Sequence, residues 1–235
     1  MCVELEAGAR LYRQFGKEEA AKRLLDKREA LIGAIQQECW DKRDHFFYSV
    51  DVDIKTRKYD WFHQGLGVFW KTLPIKVRVW SGFIPMYAGI ATKEQAADMV
   101  KHIFDPDTFG SDFGLTTLSK DEKMFDLSVT NNPSNWLGPI WLVANYVVFR
   151  GLLNYGYRME AESYDISAPC AFWERTWRKQ DVFMSITIQF NGEPVMNGGF
   201  INWNILALNM ADELEGKKPM CLPELLEKQA EKQSL

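Results

Sequence analysis

Histidine and cysteine are scarce: 235 residues hold three of the first and four of the second. Cys2, Cys39, Cys170 and Cys221 stand far apart with no CxxC pair, and His45, His63 and His102 are as scattered. Such spacing excludes zinc-ribbon and dithiol redox motifs, which need soft ligands or thiols close together in sequence. The cysteines then read as small apolar interior residues or stray surface thiols, and neither a metal nor another cofactor is called for. Excess charge is also small, 28 basic against 32 acidic residues for a net −4. A mildly acidic surface does not draw polyanions, so nucleic acid and an anionic membrane face are excluded as partners. No apolar run approaches the roughly 20 residues of a membrane span. Nor does a basic, then apolar, then small-residue leader open the chain, which predicts a cytoplasmic protein away from the membrane.

What is present is ordinary globular composition with one excess. Hydrophobic residues make up 46% and charged residues 26%, enough to bury a core in one domain. Tryptophan is the excess, nine residues in a chain that is 14% aromatic. Scattered Trp usually fills cores. Beside Gly, Asn and Pro it also builds sugar clefts, where the flat ring covers the C–H face of a pyranose and polar neighbours bond the hydroxyls.

Apolar periodicity supplies the elements. Residues 3–15 and 18–39 read as an antiparallel helix pair, with Ala20, Ala21, Leu24, Leu25, Leu31, Ile32 and Ile35 at helical spacing and Gly16 at the break. Between Asp41 and Asp60 the pattern alternates, predicting a short hairpin. An apolar helical stretch over 78–92 leads into a turn, and Thr92 caps a helix over 93–103 with Glu94 and Gln95 in its first turn. A long polar loop, 105–137, follows; loops of that length in a compact domain usually carry function or lack order. Helix resumes from Pro139 to Tyr155, with the proline suited to a first turn. Another helix starts near Met159, one lies within 198–216, and a charged one covers 222–233. The expected class is all-α, seven or eight mostly paired helices with a small β-hairpin. Helical hairpins in succession build bundles and α/α toroids, and a closed toroid of six hairpins takes about twelve helices. This chain predicts an incomplete one, with 1–216 as the partial toroid domain and 217–235 as a helical tail.

Four segments carry a resemblance in order and spacing: "CWDKRDHFFYSVDV" (39–52), "VWSGFIPMYAGIAT" (79–92), "PSNWLGPIWLVANYVVFRGLLNYGY" (133–157) and "GEPVMNGGFINWNILAL" (192–208). Together they resemble the (α/α)6 glycosidases of glycoside hydrolase family 63 and its relatives, the processing α-glucosidases, trehalases and mannosylglycerate hydrolases. The third is the clearest, with Asn135, Trp136, Gly138, Pro139, Trp141 and Asn145 in register. The resemblance implies an oligosaccharide or small glycoside as ligand and makes Trp141 a subsite wall. Trp80, Trp136 and Trp203 are further candidate platforms, and Asn135, Asn145 and Asn204 candidate hydroxyl partners. Trp136 and Trp141 equally fit a role in packing the loop, and Arg78 fits an ion pair facing the core.

Inversion at a glycosidic bond needs two carboxyl groups, an acid for the leaving oxygen and a base for water. By resemblance the acid is an Asp upstream of every segment seen here, and no Asp of this sequence stands in its motif. The base belongs just before the "GEP" turn, in a stretch like "FHEYY". Counting back from Gly192 puts it at Ser185, which has no useful ionisation near neutrality. Glu193 lies within the turn, and Glu174 is out of register and a weak substitute.

The stretch 168–188 is itself odd, fitting neither helix nor strand after a helical start. Permitted codons for Cys170 to Ile188, read two nucleotides out of phase, yield "RVLGADLAKTGRFHEYYH", which continues the helix and restores the base motif. We read the segment as a pair of compensating frame changes; genuine divergence of a surface loop is the alternative. Foreign sequence in place of an amphipathic helix predicts irregular, poorly packed structure over 165–189, and a regular helix to about residue 180 would oppose it.

The function expected is that of a glycosidase-family domain acting on α-linked glucosides or mannosides by inversion, catalytically incomplete as it stands. The alternatives are a non-catalytic carbohydrate-binding or scaffold domain and a gene fragment without activity. Unclosed apolar helix faces predict self-association.

Overall fold

The computed structural model describes residues 1–51, 72–127, 136–163 and 206–217, with the main chain of 187–188. Helices α1 (Cys2–Gln14) and α2 (Glu18–Glu38) form the predicted antiparallel pair, meeting along the buried small residues Ala9 and Ala21. Arg28 of α2 reaches across to Glu6 of α1 at 3.2 Å. The strands β1 (Trp40–Asp41) and β2 (Phe46–Phe47) pair antiparallel around a turn in which Asp41 Oδ1 accepts from the amides of Arg43 and Asp44. A second ladder joins β3 (Ser49–Asp51) to β4 (Leu73–Ile75). The alternating stretch therefore contributes to two short ladders, and its partner in the second lies beyond the predicted hairpin.

A 3-10 turn (Trp80–Phe83) runs into the one-turn helix α3 (Ile84–Tyr87), as the short apolar pattern predicts. Helix α4 (Lys93–Phe104) begins with a full capping box. The Thr92 hydroxyl accepts from the Gln95 amide, and Gln95 Oε1 accepts from the Thr92 amide. Gln95 does a second job, because its side chain exchanges amide hydrogen bonds with Gln36 of α2 at 2.8 and 3.0 Å. One residue thus starts α4 and ties it to the outer helix pair.

Aromatic rings fill the space where these elements meet. Phe46 stacks on Phe109 at 5.8 Å, and Phe83 meets both edge-on at 5.4 and 5.0 Å. Gly82 is obligatory here, since a Cβ would lie 2.5 Å from Phe46 Cζ and 2.7 Å from the Phe47 carbonyl. The segment 105–127 wraps the other side with few regular elements but many hydrogen bonds. Lys120 donates its ammonium hydrogens to the carbonyls of Pro106 (2.8 Å) and Gly110, and burial pushes its pKa down. Residues Leu118 and Val79 form an antiparallel bridge that lays the loop against the start of the 3-10 turn.

Ile140 and Trp141 form β5, paired antiparallel with β6 (Thr187–Ile188), and helix α5 (Leu142–Asn154) starts only after them. The helix predicted from Pro139 is therefore two elements. Pro139 lies before an extended pair, and its carbonyl accepts a side-chain bond from Thr117 at 2.8 Å. Helix α5 packs between α3 and α7 (Leu206–Leu214), burying Ala144, Val148, Phe149 and Leu152, and Arg150 pairs with the buried Glu213 of α7. Helix α6 (Arg158–Ser163) follows as predicted near Met159. Seven helices and three short antiparallel strand pairs are thus described, within the expected all-α class. The irregularity predicted for 165–189, the start of the 198–216 helix and the terminal helix over 222–233 lie outside the described residues, apart from the β6 main chain. Among the described residues no helix is long and apolar enough to cross a membrane.

Candidate functional site

Three loop–element junctions deliver three indoles to one place. Trp80 opens the 3-10 turn, Trp136 ends the long loop, and Trp141 closes β5 at the N-cap of α5. Trp136 stacks on Trp141 with ring centroids 4.3 Å apart and planes within 5°, and on Trp80 at 6.1 Å and 28°. Trp141 is buried at 5% exposure, whereas Trp80 and Trp136 are half-buried. Offset or parallel ring contacts of this kind contribute about 0.5–1.5 kcal/mol each beyond the area they bury. Part of the indole surface is thus spent on other indoles, with Trp136 as the shared member. The indoles pack against one another and so meet the loop-packing role.

Behind the indoles the long loop is fastened to α5 by side chains. Asn145, 3% exposed, donates one Nδ2 hydrogen to the Leu115 carbonyl (3.1 Å) and one to the Trp141 carbonyl (2.8 Å). Its Oδ1 accepts from the Leu115 amide at 2.7 Å. Both amide hydrogens are consumed by main chain, so Asn145 has none left to offer a sugar hydroxyl. Gly114 must be glycine at this fastening, because its φ is 123° and a Cβ would sit 2.5 Å from Asn145 Oδ1. Thr117, wholly buried, donates its hydroxyl to Pro139 and accepts the Trp80 amide on its own carbonyl at 2.9 Å. Sequence reading missed Leu115 and Thr117. Their signal was faint: a run of hydroxyl residues, Thr116, Thr117 and Ser119, in a loop where buried hydroxyls must find partners.

Other groups take plainer roles. Arg78 pairs with Asp121, and its amide donates to Glu122 Oε1 at 2.8 Å; the ion pair lies at the surface, with Asp121 exposed, and does not face the core. A cavity of about 510 Å³ is lined in part by Phe104, by Ser111, Asp112 and Gly114 of the same long loop, and by Ser163. None of Trp80, Trp136, Trp141 or Asn145 lines it. Among the described residues no group of three or more His, Cys, Asp or Glu could hold a metal ion. Asn135, Trp203 and Asn204, the base position Ser185 and the weak substitute Glu174 all lie outside the described residues. Of the candidate residues, Trp80, Trp136, Trp141 and Asn145 are thus the ones within the described residues, three as a ring stack and Asn145 as a fastening behind it.

The profile of the mannosylglycerate hydrolase MGH1-like glycoside hydrolase domain matches residues 2–172. The chain belongs to that family. Among curated proteins it is similar to mannosylglycerate hydrolase MGH1 of Selaginella moellendorffii, 27% identical over 137 residues that cover 54% of this chain and 25% of that protein. It is also similar to a probable mannosyl-oligosaccharide glucosidase of Schizosaccharomyces pombe, 21% identical over 84% of this chain and 24% of that protein. The matched region thus spans about a quarter of the length of these relatives. Among solved structures, a family 63 mannosylglycerate hydrolase from Thermus thermophilus, crystallised with glucose, aligns with a TM-score of 0.55 at 19% identity, covering 82% of this chain and 40% of that one. Neutral trehalase Nth1 of Saccharomyces cerevisiae aligns at 0.53 and 18%, covering 81% and 31%. The fold is accordingly that of part of a six-hairpin glycosidase toroid.

Proposed function

We propose that this chain supplies the helical frame and the aromatic wall of a saccharide site in an inverting hydrolase of α-linked glucosides or mannosides. The observation that carries the reading is the convergence of Trp80, Trp136 and Trp141, drawn from the segments that resemble family 63, on one stack beside α5. Half-buried Trp80, at the free end of the stack, keeps a face for the C–H side of a sugar ring, while Trp136 in the middle and buried Trp141 back it. Trp203 and Asn204, with Asn135, are the polar and aromatic residues proposed to complete the site. In an intact enzyme of this type two carboxyl groups flank the bond, one protonating the leaving oxygen and the other activating water.

Ser185 in the base position makes the present polypeptide a saccharide binder with little or no turnover, since loss of one member of a catalytic unit costs several orders of magnitude in rate. The profile match ends at residue 172, inside the stretch 168–188 whose character changes, as compensating frame changes or divergence there would each leave it. Exposed Leu11 and Phe15 on the outer helix support self-association at high concentration.

Glucose, trehalose and mannosylglycerate titrated against the chain, followed by tryptophan fluorescence and calorimetry, test the site. At least one should quench emission and release heat, and Trp136→Ala should abolish both. Silence with all three ligands, or undiminished affinity in Trp136→Ala, would discard the reading. Hydrolysis should be undetectable as the chain stands, and steady release of glucose or mannose would show that the Ser185 assignment is wrong.

A further inference from the structure

Thr117 occupies an unusual position between the two ends of the indole stack. Its carbonyl takes the amide of Trp80, and its hydroxyl donates to the carbonyl of Pro139, two residues before Trp141. Asn145 adds a second fastening, joining Leu115 on the same loop to the Trp141 carbonyl. The loop segment 115–117 is thus bonded at one edge to the 3-10 turn that Trp80 opens and at the other to the segment Pro139–Trp141 that leads into α5. Every side chain in it is buried, with Leu115, Thr116 and Thr117 all at 0% exposure. Such interiors do not deform continuously, so the spacing of the two indole-bearing segments is set by these bonds.

We propose that Thr117, assisted by Asn145, is a positioning residue for the saccharide wall, acting through Trp80 and Trp141 rather than by touching the sugar. This rests on the saccharide-site reading above. A hydroxyl is needed because only it can donate to the Pro139 carbonyl from a side chain of this size. Valine has the same shape with no donor, and serine keeps the donor with a methyl fewer.

The test compares Thr117→Val with Thr117→Ser in the full chain. Two readouts are followed: the indole N–H resonances of Trp80, Trp136 and Trp141, which stacked neighbours displace through ring currents, and glucose affinity by calorimetry. Each resonance is assigned by a single Trp→Phe substitution. Thr117→Val should retain the helical circular-dichroism signal, move the Trp80 and Trp141 resonances toward the position of an unstacked indole, and weaken glucose binding about tenfold. Thr117→Ser should restore both. Unmoved resonances in Thr117→Val would overturn the proposal, as would a loss in Thr117→Ser equal to that in Thr117→Val, even should the valine variant fail to fold. If the unsubstituted chain binds no glucose, the saccharide reading fails by itself, while the resonance shifts still decide whether Thr117 positions the stack.

Discussion

The outer helix pair and the loop behind the indoles hold themselves together in opposite ways. In α1 and α2 the buried side chains are few and small, Cys2, Ala9 and Ala21, and the polar contacts are exposed or half-buried pairs such as Lys22–Asp26 at 2.9 Å. Water screens such exposed ion pairs and they add little, so the two helices depend on diffuse apolar contact and helix propensity. The loop over 108–119 has little regular structure yet buries Thr108, Thr116, Thr117 and Ser119. It depends on discrete hydrogen bonds whose loss leaves donors and acceptors without water. A helix pair of the first kind tolerates substitution anywhere along its surface. A loop of the second kind tolerates almost none at its fastenings, which suits a segment that must hold aromatic residues in fixed positions.

The sharpest way to break the contrast is Asn145→Leu. The volume is conserved, but the Leu115 amide, the Leu115 carbonyl and the Trp141 carbonyl all lose their side-chain partner in a buried setting. Each such loss costs about 1–3 kcal/mol, so the variant should be destabilised by on the order of 4 kcal/mol, measured by urea denaturation. A change under about 1 kcal/mol would mean that the fastening is not what orders the loop.

The same contrast explains what could be read in advance. The ends of α1, α2 and α4 fall within a residue of the pattern because helical periodicity and the Thr92 cap are local signals. The extended pair Ile140–Trp141 reads as part of the following helix, since an apolar run of two residues has no period of its own and its strand partner, Thr187–Ile188, is remote in sequence. Of the candidate site, Trp80, Trp136 and Trp141 were legible as an excess of indoles in particular segments. That Asn145 serves main chain was not legible, because an amide reads the same whether it faces a ligand or a carbonyl. The hydroxyls of the loop were silent for the same reason.

A smaller effect probes the junction between the two regions. His102 on α4 donates Nε2–H to the Asp44 carbonyl at 3.1 Å and meets Phe46 edge-on. Burial is the main cause that holds its pKa below the usual 6.5; Arg78 adds to the effect, while the Asp44 bond and the carboxylates of Asp98 and Asp105 oppose it. A histidine that resists protonation when folded is protonated first in the unfolded chain. The unfolded state therefore binds more protons as the pH drops below 6.5, and stability declines from there until the folded group titrates as well. Asp41, Asp44 and Asp98 are held below their ordinary 3.8, chiefly by lysine partners, so their contribution is present above 3.8 and fades only at lower pH. The two windows are separate. Thermal denaturation should show Tm falling just below pH 6.5, and His102→Gln should remove that step while leaving the acid limb. An unchanged step would assign it to another group.

The smallest expected effect is the most telling about α1. Phe15 and Leu11 are 70% and 53% exposed, and Tyr12 between them is 40% exposed, so the end of the helix presents an apolar patch to solvent. Serine at Phe15 removes almost no contact within the chain, and the stability of Phe15→Ser should lie within about 0.5 kcal/mol of the parent. Association is a different matter, because an apolar patch of this kind is costly to leave in water and cheap to cover with another surface. Sedimentation velocity on Phe15→Ser should show less concentration dependence than the parent at equal stability. A variant that instead loses more than about 1 kcal/mol would place Phe15 in the supporting core. The outer pair would then share the loop's intolerance, and the division between diffuse and discrete stabilisation would not hold at that end of the molecule.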